Sequence, residues 1–458
     1  MGETSGTYNA VIRAISLTRN GTSHCGKRKT PPKMAKVTTA GENAELQLRN
    51  EAAHRVCFYT PAQNPLAGTA VTPQPSGKPV PKLFTRLQIR GMTMQNRIMV
   101  SPMCQYSAHE GFSHDVACHP SRRDRPARSL TVVEATAVQT NGRITPEDSG
   151  LWLDAHIDRL REHVVFVHSQ GQKIAIQLSH AGRKASTVAP WLSRGAVASP
   201  SAGGWPDDVV APSAMAYDAH HSSPREMSLA EIEQLKTDFV AAARRAVRGG
   251  FDAIEIHGAH GYLLHQFVSP ASNLRTDHYG GPFENRVRLA LEIAELVRAA
   301  MPETMPLMYR LSATDWLEED ADAGPGWTVD DSVRLAPLLA DRGVDMLDVT
   351  SAGNHPQQKI KGGPAYQAPF AKTIKKAVGN KMLVGTVGAI TTGTLAEELV
   401  SGGENGDDVP LDLVAAWRMF QKNPGLVWAW AEELQTSIYL PKQIGWGFGG
   451  RARKPSHH

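Results

Sequence analysis

Cysteine is scarce in this chain, and long apolar runs are missing from it. The 458 residues include four cysteines, at positions 25, 57, 104 and 118. They show neither the close pairs of a zinc or iron–sulfur site nor the density of a secreted disulfide scaffold. No apolar run reaches the ~18 residues that a membrane-spanning helix needs, and the N-terminus lacks the apolar core of a secretory signal. We therefore expect reduced thiols and no membrane segment.

Net charge is also small. The 49 basic and 45 acidic residues leave a formal charge of +4, which is too little to indicate a nucleic-acid partner. The apolar fraction of 41% and the charged fraction of 21% are ordinary for a globular protein. These values predict a cytoplasmic protein with a substantial core. They leave the oligomeric state open, with a homo-oligomer allowed.

The first part of the chain differs in composition from the rest. Residues 1–80 show little regular periodicity and are rich in Thr, Pro and Gly. A segment of this kind buries too little apolar surface to offset the entropy lost on ordering. We predict a disordered N-terminal extension over residues 1–80, one large domain over 81–440 and a C-terminal tail over 441–458.

Within residues 81–440, short apolar runs alternate with longer amphipathic segments, which is the pattern of repeated βα units. One helical segment opens with Ser228 and carries Glu231 three residues later, which predicts a capping box. The length suits a (β/α)8 TIM barrel, which takes ~250 residues and tolerates long extensions. The predicted fold is therefore α/β, with parallel strands over residues 98–103, 130–138, 173–182, 251–258, 306–313, 345–353, 382–390 and 411–418.

Nearly every candidate strand begins apolar and ends in polar or reactive residues. In a (β/α)8 barrel the C-terminal ends of the strands meet at one mouth, where the chemistry takes place. We therefore expect these side chains to share a site. They are Cys104, Tyr106, Glu134, Thr136, Gln177, His180, His257, His260, Arg310, Ser351, Thr386 and Arg418.

The densest group of these residues is His257, His260 and Tyr262. Gly258 and Gly261 let the backbone leave extended geometry, so side chains that would face opposite sides of a strand can converge. Two adjacent imidazoles can donate hydrogen bonds to one developing oxyanion, and a phenol can deliver a proton. Metal ligation and a structural role for buried histidines remain alternatives for the same residues.

Three further positions suggest a bound ligand. Arg310 ends an otherwise apolar strand, so its charge should face an anion, either a ligand or a protein carboxylate. Gln177 can match a ring carbonyl and a ring N–H at once, or it can be a satisfied core glutamine. The glycine-rich ends of the last strands, VTSAG and VGTVGAI, offer backbone N–H groups to a phosphate.

The motifs SPMCQYS, VEATAV, IQLSHAGRKA, EIHGAHGYLLHQF and YRLSATDW follow one another in the order found in the Old Yellow Enzyme family. The sequence resembles that family over roughly residues 80–440, and most of all its NADPH dehydrogenases of the thermophilic-like ene-reductase branch. The resemblance implies non-covalently bound FMN in the barrel mouth, NADPH as reductant and an α,β-unsaturated carbonyl compound as substrate. It also implies a ping-pong cycle in which both substrates use the same site.

The same resemblance implies a role for each matching residue. His257 and His260 would bind the carbonyl oxygen, Tyr262 would donate a proton, and Tyr106 would orient the substrate. Cys104 would tune the flavin ring and Arg310 would stabilise its reduced, anionic form. The full set expected at the cofactor is Ser101, Pro102, Met103, Cys104, Ala135, Gln177, Arg310, Gly353, Gly388 and Arg418.

The chain departs from the family pattern at three places. Residues 116–129 lack an apolar stripe and carry a run of arginines, so we hypothesise a shifted reading frame or a misplaced splice boundary there. Trp417 stands where the family has glycine, beside the expected phosphate ligand. The C-terminal QIGWGFGGR replaces a pattern that relatives send to a neighbouring subunit.

Because of these departures, one alternative to a flavin enzyme is a non-catalytic barrel that has lost flavin. A second alternative is a metal-dependent hydrolase with His257 and His260 as ligands, but no third and fourth ligand motif is evident. An iron–sulfur dienoyl reductase would need a cysteine cluster that this sequence lacks. We therefore predict an FMN-dependent ene-reductase without a metal ion.

Overall fold

The computed structural model describes residues 50–449 except 55, 57, 114–128, 321, 323, 404, 405 and 407. Most of the predicted extension and almost all of segment 116–129 lie outside the described residues. The hypothesis of an altered segment there stays a prediction. Of the four cysteines, Cys104 is described.

The predicted barrel is confirmed. Eight parallel strands close into one sheet in the order β3-β4-β5-β8-β9-β10-β11-β12, and each lies within a predicted strand. Two short pairs, β1 with β2 and β6 with β7, stand outside it. The strands are β1 (Leu87–Ile89), β2 (Met92–Met94), β3 (Ile98–Val100), β4 (Leu130–Ala137), β5 (Lys173–Ser179), β6 (Val210–Ala211), β7 (Arg225–Glu226), β8 (Ala253–Gly258), β9 (Leu307–Ser312), β10 (Met346–Thr350), β11 (Leu383–Thr386) and β12 (Leu413–Ala416).

Amphipathic helices surround the strands and bury their apolar faces in a common core. The capping box predicted from Ser228 and Glu231 is present at the start of the longest of them. The α-helices are α1 (His156–Ser169), α2 (Leu229–Gly249), α3 (Leu263–Val268), α4 (Phe283–Arg286), α5 (Arg288–Ala299), α6 (Val329–Asp341), α7 (Ala368–Val378), α8 (Gly393–Ser401), α9 (Arg418–Lys422) and α10 (Leu426–Glu433).

The β1–β2 hairpin covers the N-terminal end of the barrel. Its four apolar side chains, Leu87, Ile89, Met92 and Met94, pack in one buried cluster with residues from inside the strands. The turn is fastened by an ion pair of Arg90 with Asp345 and by the hydrogen bond from Gly91 N to Thr304 O, 2.9 Å. The barrel interior is therefore filled at this end, and the mouth lies at the other.

The described part of the predicted extension crosses to the C-terminal segment. Gly68 N donates to Tyr439 O at 2.8 Å, and Val71 N donates to Ser437 O at 2.9 Å. The side chain of Gln63 meets that of Gln443 at 2.7 Å. Residues 50–80 thus contain little regular structure but make specific contacts with the chain around the predicted boundary at 440, and the boundaries themselves stay a prediction.

Within the described residues, no helix combines the length and apolar character needed to cross a bilayer. In the same part of the chain, no three His, Cys, Asp or Glu side chains are grouped closely enough to hold a metal ion.

Candidate functional site at the barrel mouth

Strand register brings predicted site residues into direct contact. Ala135 on β4 pairs with Gln177 on β5, and Gln177 pairs with Glu255 on β8. On the next strand pair, His257 on β8 lies beside Arg310 on β9. Because neighbours in a parallel sheet point to the same face, these side chains converge at the C-terminal end of the barrel.

The two histidines meet as predicted from the glycines between them. The ring centroids of His257 and His260 lie 5.3 Å apart at an interplanar angle of 87°, and those of His257 and Tyr262 lie 5.0 Å apart at 79°. His260 adopts φ +57° and Gly261 φ +69°, so two consecutive residues are left-handed. For histidine this conformation is strained, and such strain persists where the surroundings enforce it.

Electrostatics keeps these groups neutral. Burial, together with the nearby Arg310 cation, holds the pKa of His257 and of His260 well below the ordinary value. Both rings are therefore neutral near pH 7 and carry one N–H each, and His260 Nε2 lies 3.1 Å from Thr350 Oγ1. Burial raises the pKa of Tyr262 well above its usual range, so its phenol keeps the proton. The site thus presents neutral hydrogen-bond donors.

The segment after β3 forms the opposite wall. Ser101 is buried, Met103 packs in a core cluster, and Pro102 and Cys104 are partly accessible. Burial and the neighbouring carboxyls raise the pKa of the Cys104 thiol well above its ordinary value. That thiol therefore remains protonated, and it is not an activated nucleophile.

Tyr106 completes this wall in a left-handed conformation with φ +49°. Glu134, located at a bulge of β4, fixes the segment by accepting a hydrogen bond from Gln105 N at 2.5 Å. Tyr106 and Cys104 add to the effect of burial in raising the pKa of Tyr262. Their shared role in binding substrate stays a prediction.

Inside the barrel, two carboxyls lie under the predicted flavin ligands. Gln177 Nε2 donates to Glu255 Oε1 at 2.7 Å, and Arg310 Nε lies 3.2 Å from Asp348 Oδ2. Burial, and then the nearby Asp348 carboxyl, raises the pKa of Glu255 to about 8. Sequence reasoning allowed Arg310 either a ligand or a carboxylate, and the structure shows the carboxylate.

The predicted phosphate ligands lie around the ends of the last strands. Gly388 has φ +122°, and a Cβ there would fall 2.7 Å from Gln367 Nε2 and 3.0 Å from the Tyr366 ring. Arg418 is exposed and lies within electrostatic reach of the same tyrosine. Gly353 N donates to Gln358 Oε1 at 2.6 Å, so this N–H already has an acceptor.

The backbone at position 417, where the family pattern has glycine, does not adopt a positive φ that would require glycine. The φ of Trp417, −113°, lies outside the left-handed region, and this residue immediately precedes α9. Its side chain is 50% exposed. The backbone therefore accommodates tryptophan here, while the effect of the indole on a bound phosphate stays a prediction.

Comparisons with known proteins agree with this geometry. The sequence profile described as the NADH:flavin oxidoreductase / NADH oxidase family matches residues 82–437. This chain belongs to that family. A protein of Gibberella zeae named NADH:flavin oxidoreductase FG08077 is 53% identical over 412 residues, covering 88% of this chain and 97% of its own. The NADPH dehydrogenase of Geobacillus sp. is 40% identical over 373 residues, covering 80% and 99%.

The likeness extends to solved structures of the family. A structure of morphinone reductase in complex with tetrahydroNAD has a TM-score of 0.61 and 26% identity, and it covers 79% of this chain and 93% of that protein. The flavin oxidoreductase family and its NADPH dehydrogenase members confirm the resemblance to the Old Yellow Enzyme family. They indicate FMN as cofactor and NADPH as reductant. These comparisons do not test the predicted role of each residue, which stays a prediction.

The residues present fit a flavin. Two buried polar atoms at the mouth, Ser101 Oγ and His257 Nδ1, have no hydrogen-bond partner among the described residues. Buried polar groups are normally paired, so a ligand with polar edges would satisfy them. The Gln177 amide, which donates one N–H to Glu255, has a second N–H and a carbonyl oxygen that suit the same ligand. Together these groups can match the alternating donors and acceptors of a flavin ring.

Sequence reasoning missed several contributors. One is Lys184, whose Nζ donates to His260 O at 3.0 Å. The exposed Trp191 indole packs edge-on against Tyr106 with centroids 5.7 Å apart. Glu255 and Asp348 could have been found from the sequence, because a charged residue inside an apolar strand needs a partner.

Proposed function

We propose that this protein is an NADPH-dependent ene-reductase that reduces the activated C=C bond of α,β-unsaturated carbonyl compounds. One observation carries this proposal: His257 and His260 present neutral rings 5.3 Å apart at a buried mouth beside Arg310. Two such donors suit a carbonyl oxygen that gains negative charge during the reaction.

The chain's own residues account for the remaining requirements. When bound, reduced FMN supplies the hydride that is added to the β carbon of the alkene. His257 and His260 hold the carbonyl oxygen and draw electron density away from that carbon. Tyr262, whose phenol keeps its proton because burial raises its pKa, supplies a proton to the α carbon. Tyr106 orients the substrate from the opposite wall.

The proposed reductant is NADPH, in keeping with the names of the Geobacillus and Bacillus subtilis relatives. The hairpin fills the other end of the barrel. The nucleotide and the alkene therefore have to use the same mouth, which supports a ping-pong cycle. A cytoplasmic location and a homo-oligomer also remain predictions, which cell fractionation and sedimentation would test.

A direct experiment starts with the purified full-length protein. Denaturation should release FMN, and NADPH should bleach the flavin absorption without an added alkene. Enones, maleimides and nitroalkenes should then restore the absorption, with one NADPH consumed per alkene reduced. Flavin that is reduced but not reoxidised by any of these alkenes would contradict the proposed substrate class. Protein that contains no flavin and binds none would support the alternative of a non-catalytic barrel.

A further inference from the structure

The turn that presents His260 is closed by the backbone hydrogen bond from Tyr262 N to Ala259 O, 3.1 Å, and is held further by side chains. His260 N donates to Ser312 Oγ at 2.9 Å, and Lys184 Nζ donates to His260 O at 3.0 Å. Both His260 and Gly261 are left-handed. This conformation is strained for His260 but not for Gly261, so it needs such enforcement at His260.

The peptide groups of Gly261 are held in the same way. Gly261 N donates to His265 Nδ1 at 2.9 Å, and Gln266 Nε2 donates to Gly261 O at 2.7 Å. His265 lies in α3 and is fully buried. Its other ring nitrogen, Nε2, lies 2.9 Å from Asp315 Oδ1.

Asp315 is fully buried and is surrounded by donors. Its Oδ2 accepts from Ser269 Oγ at 2.5 Å, from Trp327 N at 2.9 Å and from Asn354 Nδ2 at 3.3 Å. Burial by itself would raise the pKa of Asp315, but the neighbouring His265 and these hydrogen bonds outweigh it and leave the pKa below its ordinary value. The carboxylate therefore accepts hydrogen bonds on Oδ2, while Oδ1 lies next to His265 Nε2.

These contacts define the tautomer of His265. Because the N–H of Gly261 points at Nδ1, that nitrogen carries a lone pair, so the proton of the neutral ring is on Nε2. Nε2 in turn faces Asp315, which can only accept. A carboxylate that fixes a histidine tautomer for a second partner is a known arrangement in enzymes, where it acts through orientation.

We propose that Asp315 is a positioning residue, which holds His265 in its Nε2–H form and thereby holds the left-handed turn that presents His260 to the substrate. This inference rests on the proposed function for its effect on alkene reduction. It assigns no contact with substrate to Asp315 or His265. The chain from Asp315 through His265 and Gly261 to His260 is continuous in the structure.

Asp315→Asn tests the proposal with almost no change of volume. An asparagine has one acceptor and one donor end, whereas Asp315 meets donors on both sides. If its oxygen faces Ser269 and Trp327, its NH2 faces His265 and favours the Nδ1–H form, which opposes the N–H of Gly261. If it is reversed, the three donors to Oδ2 lose their acceptor. Either orientation weakens the turn.

His265→Gln is the matched rescue variant. Its side-chain oxygen can accept from Gly261 N while its NH2 donates to Asp315, so both contacts keep their polarity. His265→Leu occupies similar space with neither polar atom. We expect the Gln variant to stay within a fewfold of the native protein, and the Leu variant to behave as Asp315→Asn does. Should Asp315→Asn fail to fold, the comparison of Leu with Gln at position 265 replaces it.

Separate half-reactions distinguish positioning from a general loss of structure. In Asp315→Asn we expect about tenfold to a hundredfold slower reoxidation of reduced flavin by an enone, because misplacement of a reacting group by ~1 Å costs about that much. FMN content and flavin reduction by NADPH should change less than about threefold. Histidine-selective 15N NMR should show one Nε2–H ring lost in this variant and kept in His265→Gln.

Native reoxidation by Asp315→Asn, or a Gln variant as slow as the Leu variant, would overturn the proposal. Equal loss in both half-reactions would also overturn it, since that result means a structural role alone. If the native protein reduces no alkene, the proposed function fails, while the 15N spectrum still tests the tautomer assignment. A native spectrum with His265 protonated on Nδ1 would refute the positioning role by itself.

Discussion

The two sides of the barrel mouth are built differently. On the β8–β9 side, His257 is buried and the left-handed turn at His260 is held by side chains from several elements. On the β11–β12 side, Arg418 and Trp417 are exposed. The side expected to polarise the substrate is therefore fixed by contacts within the chain, whereas the side expected to hold phosphate is more exposed.

This difference predicts that the largest effects come from the β8–β9 side. His257→Ala and His260→Ala should each slow alkene reduction by about 10²- to 10³-fold, because each removes one donor to the developing oxyanion. Reduction of the flavin by NADPH should be affected less. The measurement is the rate of flavin reoxidation by an enone in rapid mixing, with FMN content determined for each variant.

His220→Ala is a suitable control for these variants, because His220 is exposed and far along the chain from the paired rings. It should match the native protein in both half-reactions. If the flavin of His257→Ala and His260→Ala were reoxidised at the native rate, the β8–β9 side would contribute no more to alkene reduction than the β11–β12 side.

A smaller effect is expected from the buried carboxyl beneath the same side. Burial and the neighbouring Asp348 raise the pKa of Glu255 to about 8, whereas a glutamate in the unfolded chain has a pKa near 4.3. Between these values the folded protein keeps a proton that the unfolded chain releases, so raising the pH destabilises the fold by up to roughly 1.4 kcal/mol per pH unit. Above about pH 8 this contribution no longer changes.

Glu255→Gln should remove that dependence, because its side chain does not titrate and can still accept from Gln177 Nε2. Denaturant unfolding with saturating FMN, repeated between pH 6 and 8, measures the free energy of unfolding for both proteins. Burial also raises the pKa of Glu134 and of Asp148 to about 7, but these groups are common to both proteins and cancel in the difference. Parallel curves for the two proteins would show that Glu255 is ionised in the fold.

The smallest effect is expected on the β11–β12 side. Arg418→Ala should weaken FMN affinity by about twofold to fivefold, since an exposed cation contributes about 1 kcal/mol or less to an ion pair. The loss should shrink at high salt, because exposed charges are screened. Quenching of free-FMN fluorescence at two salt concentrations measures it.

Arg342→Ala is the control for this prediction. Arg342 is also an exposed arginine. It directly follows α6, away from the mouth, and pairs with Glu295 of α5. It should leave FMN affinity unchanged. A loss of a hundredfold or more in Arg418→Ala would mean that the phosphate side is as strongly preorganised as the histidine side.

Much of the fold could be predicted from the sequence. All eight barrel strands lie within their predicted ranges, because an apolar run flanked by helical periodicity is a strong signal. Strand ends were predicted too long, as at residues 173–182, where β5 ends at Ser179. His180, Ala181 and Gly182 follow Ser179, leave the sheet and contribute to the mouth. Residue type alone does not show at which residue the strand ends. The β1–β2 hairpin was not predicted, since three-residue strands give too short a pattern.

The site was predicted less completely. The convergence of His257, His260 and Tyr262 followed from the glycines among them and is confirmed by their geometry. The contacts of Lys184, Asp315 and similar side chains depend on which loops meet across the mouth. Such contacts join residues that are distant in sequence, so no local pattern reveals them. The same holds for Trp191, whose contact with Tyr106 spans two separate loops.

The β1–β2 hairpin closes the N-terminal end of the barrel, and this closure has a consequence for the kinetics. Both compounds of the proposed reaction would bind through the one open end of the barrel. An abundant alkene and the nucleotide would therefore compete for the oxidised enzyme. Inhibition by excess alkene, relieved by more nucleotide, then follows from the architecture of the strands themselves and needs no second regulatory site.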